Sequence, residues 1–142
     1  MQSKTIINLI SNEKHNQFIG EHINDDIYSL SLSAKKYPDI DVKAVSALIS
    51  VYQKAKIKLP EHYMRRAAFN QKSYEQCSSE RLAIFKAGII NTDQKHIVNL
   101  CGGIGVDDWA FAKNAKRIDS CEMDEDIHEI VEAASLNIQS IA

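Results

Sequence analysis

The sequence has little cysteine, proline or tryptophan, almost no net charge, and no long apolar run. Cys77, Cys101 and Cys121 are odd in number and no Cys-x-x-Cys pair exists, which argues against a disulfide framework and against a zinc site. Unpaired thiols fit a reduced cytoplasm. A net charge of −2 on 142 residues gives no global field toward nucleic acid or membrane. No apolar stretch approaches the ~20 residues of a membrane span, and the start of the chain lacks the small-residue cleavage site of a secretory signal. The two prolines, Pro38 and Pro60, both close helical patterns, because the residue before proline avoids the α region. Glycine is scarce as well, five in all, yet three of the five fall within four positions, at Gly102, Gly103 and Gly105.

What is present is ordinary for a soluble globular chain: 44% hydrophobic and 25% charged residues. Residues 1–58 form a helical unit. Ile6, Ile7, Leu9 and Ile10 fit a short helix or a strand. Phe18, Ile19 and Ile23 share a helix face, followed by Ile27, Leu30 and Ala34, with Asn24 to Asp26 as stop and N-cap between them. Asp41 caps a third helix, in which Val45, Leu48, Ile49 and Tyr52 repeat at helical spacing. Residues 59–73 read as a linker. Lys54, Lys56, Lys58, Arg65, Arg66 and Lys72 in this region face one acid, Glu61. They are either a surface for an anionic substrate such as RNA or, as we prefer, a solvated linker and helix end. Tyr74 to Ile90 reads as a further helix with an apolar stripe of Leu82, Phe85 and Ile89. Ser73 and Gln76 have capping-box spacing at its start.

The chain is organised around residues 95–126. Ile97, Val98 and Leu100 form the short apolar run that a buried parallel strand needs. The glycines then break it, letting the backbone turn tightly and approach a ligand. A helix follows from about Val106 to Asn114, then a second strand from Arg117 to Cys121 that ends in Glu122. Glu122 lies 17 residues after Gly105. In a βαβ unit that spacing places the carboxylate at the carboxyl end of the neighbouring strand, beside the turn, where such sheets bind ligands. A last helix carries Ile127, Ile130, Val131, Ala134, Ile138 and Ile141 on one face.

This stretch resembles the S-adenosylmethionine site of class I, Rossmann-like methyltransferases. From Phe18 to Ala142 the chain is similar to the amino-terminal part of a bacterial methyltransferase family that carries a THUMP-like domain. The likeness is carried by Glu21-His22 with Asp25-Asp26, by Glu75 to Glu80, and by Leu100 to Asp107. It implies an α/β fold in which an amino-terminal helical unit precedes the first two strands and helices of the sheet, with residues 74–142 an incomplete S-adenosylmethionine-binding domain. It also implies roles. Glu122 accepts both ribose hydroxyls, since a carboxylate is acceptor-only, and Met123 lies against the adenine. The backbone at Gly102, Gly103 and Gly105 approaches the methionine portion. Asp107 either accepts from the ligand's amino group or caps its helix. Gln76 or Ser79 lies near the methionine end, the alternative being the capping box of Ser73 with Gln76. Asn99 stands where the family has an acid, and Cys101 where a broader pattern has its first glycine.

Other phosphate-binding patterns fit less well. A dinucleotide Gly-x-Gly-x-x-Gly begun at Gly103 meets Asp108 at its third glycine, and no P-loop Gly-Lys-Ser/Thr occurs. By resemblance the fold needs about five more strands, so we expect a truncated chain, inactive alone, whose parent transfers methyl groups to a substrate that includes RNA among its candidates. The rival is a non-catalytic helical interaction module with a remnant α/β tail. No metal site, no membrane contact and no oligomeric state is read from the sequence.

Overall fold

The computed structural model describes residues 2–139, with side chains through Ala133. Its elements are α1 (Ser3–Ser11), α2 (Glu13–His22), α3 (Ile27–Leu32), α4 (Val42–Lys58), α5 (Pro60–Met64), α6 (Gln71–Gln76), α7 (Glu80–Ile90), β1 (His96–Asn99), α8 (Val106–Phe111), β2 (Arg117–Ser120) and α9 (Glu125–Gln139). It is a helix-rich α/β structure with a small parallel sheet, β1 beside β2, in the register His96 to Arg117 through Asn99 to Ser120.

The core gathers on α4. Val42, Val45, Leu48, Ile49, Tyr52 and Ala55 all point inward, as their spacing requires. Asp41 caps α4 by accepting the Ala44 N–H at 3.0 Å, and Asp26 caps α3 by accepting the Ser29 N–H at 2.8 Å. Burial pushes the Tyr52 hydroxyl up to about 12, so it stays protonated and donates to the Ala67 carbonyl at 3.2 Å. The same apolar cluster continues through Phe69 and Ala83 to Ile104, Val106 and Ile127 beside the sheet. Of the face expected on α9, Ile127 and Ile130 are buried and Val131 is half-buried. Ala134, Ile138 and Ile141 lie outside the residues whose side chains are described.

Four expectations need correction. Residues 59–73 are not a solvated linker: they form α5 and the start of α6, and Leu59, Ala68 and Phe69 are buried. The helix read over Tyr74 to Ile90 is two helices, because Cys77 and Ser79 are extended. Ser79 starts the second by accepting the Leu82 N–H at 3.2 Å. The capping box of the first is not Ser73 with Gln76. It is Asn70 with Ser73: each side chain meets the other's backbone N–H, at 2.8 and 3.0 Å. Finally, β1 is not a buried strand. Val98 is 56% exposed, Leu100 is 74% exposed, and on α7 Phe85 is 63% exposed. A two-stranded sheet leaves a face open, and among the described residues nothing covers it.

Candidate functional site

The site grows from the turn between β1 and α8. Gly103 and Gly105 have φ of +55° and +80°, a region side chains avoid. Gly102 is held between strands. Its N–H donates to the Cys121 carbonyl at 2.8 Å, and a Cβ there would sit 2.2 Å from Ser120 Oγ and 3.3 Å from that carbonyl. Gly102→Ala therefore forces Ser120 off Asp108, which Ser120 Oγ reaches at 2.6 Å. We expect a loss of about 1–3 kcal/mol of stability, the usual cost of overpacking, read as a fall in the denaturant midpoint. An unchanged midpoint would show that the turn has room to spare.

Asp108 is the support beneath this turn. One oxygen accepts Asn99 Nδ2 at 2.6 Å and the other accepts Ser120 Oγ. The carboxylate that spoils the dinucleotide pattern thus ties the ends of β1 and β2 to α8. Glu122 closes the turn from the other strand. Its Oε2 accepts the Gly103 N–H at 2.7 Å and its Oε1 accepts the Asp124 N–H at 2.8 Å.

Between the turn, α6 and the start of α9 lies a cavity of about 270 Å³. This is just short of the ~300 Å³ at which pockets that engulf a drug-sized ligand begin, so it suits part of a ligand rather than a whole one. Gln76, Cys101, Gly102, Gly103, Asp107 and Glu122 line it. The remaining candidates do not. Asn99 is engaged with Asp108 and accepts the Cys101 N–H at 3.2 Å. Ser79 is committed to its cap. Gly105 is the N-cap of α8. Met123 is 96% exposed. Glu21, His22, Asp25 and Asp26 lie at the α2–α3 corner, where His22 Nδ1 meets Asp25 at 2.6 Å, and none of them lines the cavity.

Sequence reasoning passed over Cys77, Ser78 and Asp124 as lining residues. The available signal was Ser79, a cap-forming residue directly before Glu80, which marks a helix start. Burial raises the Cys77 thiol above its ordinary value, and its Sγ donates to the Tyr74 carbonyl at 3.1 Å, so it is no thiolate nucleophile. Lys72 bonds Asp124 across the cavity edge at 2.8 Å and holds that carboxyl below its usual range.

Asp107 does not cap α8. Lys86 takes its Oδ2, while its Oδ1 is shielded from solvent and has no partner. The basic run is mostly committed as well: Lys54 to Gln71, Lys58 to the Tyr74 carbonyl, Arg65 to Glu61, Arg66 to Asn16 and Lys72 to Asp124. Among the described residues no group of three or more metal-ligating side chains gathers, and no helix is long and apolar enough to cross a membrane.

Among solved structures the chain is similar to the crystal structure of a "putative methyltransferase from Porphyromonas gingivalis W83", with a TM-score of 0.69 and 22% identity. The match covers 98% of this chain and 33% of that one, so the chain spans about a third of that protein's length. At this identity the likeness establishes a shared fold. No family model matches the chain, and no curated protein does.

Proposed function

We propose that these residues form the ribose and amino-acid side of an S-adenosylmethionine site in a methyltransferase. The observation that carries the reading is the Glu122 carboxylate bonded to the Gly103 N–H at 2.7 Å, with both residues lining one cavity. Two hydrogen bonds to backbone N–H groups fix the orientation of Glu122 and leave lone pairs on both oxygens. Those lone pairs suit two vicinal hydroxyls, and hydrogen bonds to an ionised acceptor are the stronger kind.

Asp107, which Lys86 holds by Oδ2, lines the same cavity and suits a cationic group there. A ligand with a diol at one end and an amino acid at the other matches this pair of carboxylates. A pyrophosphate does not, because Asp107, Glu122 and Asp124 would repel it. When bound, the cofactor supplies an electrophilic sulfonium methyl, and the chain's own part is to hold and orient it. No side chain described on the cavity is placed to activate a methyl acceptor. On this reading the 142 residues bind without transferring, and the acceptor, with RNA as the candidate, is met by other parts of a longer protein.

The test is an NMR titration of the 15N-labelled chain with S-adenosylhomocysteine. Saturating shifts at the amides of Gly102, Gly103 and Asp124 are the expected result. No shift there at millimolar ligand would remove the proposal.

A further inference from the structure

Two adjacent carboxylates on α8 have opposite fates. Asp108 is satisfied on both oxygens, by Asn99 and Ser120. Asp107 is satisfied on one. Lys86, from α7, bridges Ser78 Oγ at 2.7 Å and Asp107 Oδ2, while Asp107 Oδ1 remains shielded and unpartnered. A shielded carboxylate oxygen without a donor is costly and uncommon, and calls for an explanation. Asp107 and Ser78 line the cavity, whereas Lys86 does not. The lysine therefore acts from behind the wall.

Resting on the ligand reading above, we propose that Lys86 is a positioning residue. It clamps one oxygen of Asp107 against Ser78 and so fixes this carboxylate in the cavity wall that the ammonium group of the ligand's amino-acid end would meet. The clamp has two physical consequences. It fixes the carboxylate rotamer before the ligand arrives, which lowers the ordering cost of binding. It joins the α6–α7 break, through Ser78, to α8, so two walls of the cavity share one tie. Against these, the lysine charge lowers the attraction that Asp107 exerts on a second cation. Orientation wins if removing Lys86 weakens binding, and charge wins if removal tightens it.

Three variants of the full chain and two probes separate the possibilities. The probes are S-adenosylhomocysteine, which has the amino-acid end, and 5′-methylthioadenosine, which lacks it. Lys86→Met keeps the stem and loses the donors. It is expected to weaken S-adenosylhomocysteine about tenfold, the worth of one hydrogen bond to a charged group, and to leave 5′-methylthioadenosine within about twofold. Lys86→Arg, which restores a donor, is expected to recover most of the loss. Ser78→Ala, which frees one arm of the clamp, should weaken S-adenosylhomocysteine selectively, and serves as the readout should Lys86→Met not fold.

Equal weakening of both probes by these variants, an unchanged affinity, or tighter binding in Lys86→Met would overturn the positioning role while leaving the ligand reading intact. Binding of neither probe by the native chain overturns both.

Discussion

Replacing Glu80 with alanine is expected to cost about 1–3 kcal/mol of stability, the penalty for leaving buried donors without their acceptor. Glu80 opens α7, yet it is only 3% exposed and faces α5. Its carboxylate accepts three N–H groups: the Glu61 backbone at 3.0 Å, the His62 backbone at 2.9 Å and His62 Nδ1 at 2.6 Å. An ionised carboxylate only accepts, so Nδ1 carries the proton. The His62 ring in turn lies edge-on to Trp109 of α8 at 5.6 Å. One acid thus caps α5 and joins three helices. Burial works against its charge, but the bonds from His62 and from the Glu61 and His62 backbone outweigh it and hold the carboxyl below its ordinary 4.5. The sign follows. A lowered folded value means that Glu80 contributes its full stability above pH 4.5 and loses it as pH falls through the folded value. Denaturant melts of native chain and Glu80→Gln at pH 7 and below pH 4 are the check. The gap between them should shrink on the acid side. A gap independent of pH would mean that the carboxylate charge is not what holds the helices.

That pair also shows what the sequence could and could not reveal. The glycine turn was legible because its cause is local: three glycines in four positions, two of them now at positive φ. The caps at Asp26 and Asp41 were legible for the same reason. So was the parallel β1–β2 pairing around a short helix, whose glycine turn and closing acid can be read at fixed spacing. Glu80 was not, because its partner lies 18 residues away and no local pattern marks a helix residue that turns inward. The break at Cys77 to Ser79 went with it. Apolar periodicity ran unbroken through the region, while the inward turn of Glu80 depends on α7 starting afresh at the Ser79 cap. Val98 and Leu100 misled in the opposite sense. Their composition signals burial, but burial is supplied by whatever packs on the strand, and two strands supply little. Asp108 was read as a flaw in a glycine pattern, and only its bonds to Asn99 and Ser120 show it to be a support. Lys86 gave no signal at all, since a lysine on a helix face is ordinarily solvated.

Glu122→Ala is expected to weaken S-adenosylhomocysteine binding about 10- to 150-fold, equivalent to ~1.5–3 kcal/mol for hydrogen bonds to a charged group. The variant removes the acceptor for the ligand's hydroxyls and also frees the Gly103 and Asp124 N–H groups that it now holds at 2.7 and 2.8 Å. Those two losses can be separated. Glutamine keeps the length of the side chain but offers one oxygen and one NH2 group. With two backbone donors to meet, one of them then faces the amide nitrogen, so Glu122→Gln also loosens the turn. Aspartate keeps the charge but sits one methylene short. If the site works by charge, aspartate retains more affinity than glutamine; if it works by reach, glutamine retains more. Either order fits a carboxylate that meets the ligand. Equal affinity in all four proteins, with native amide shifts at Gly103, would place the ligand elsewhere. The comparison is decisive at this residue because Glu122 joins the end of β2 to the glycine turn through its side chain. A ligand seated in the cavity against the glycine turn meets it.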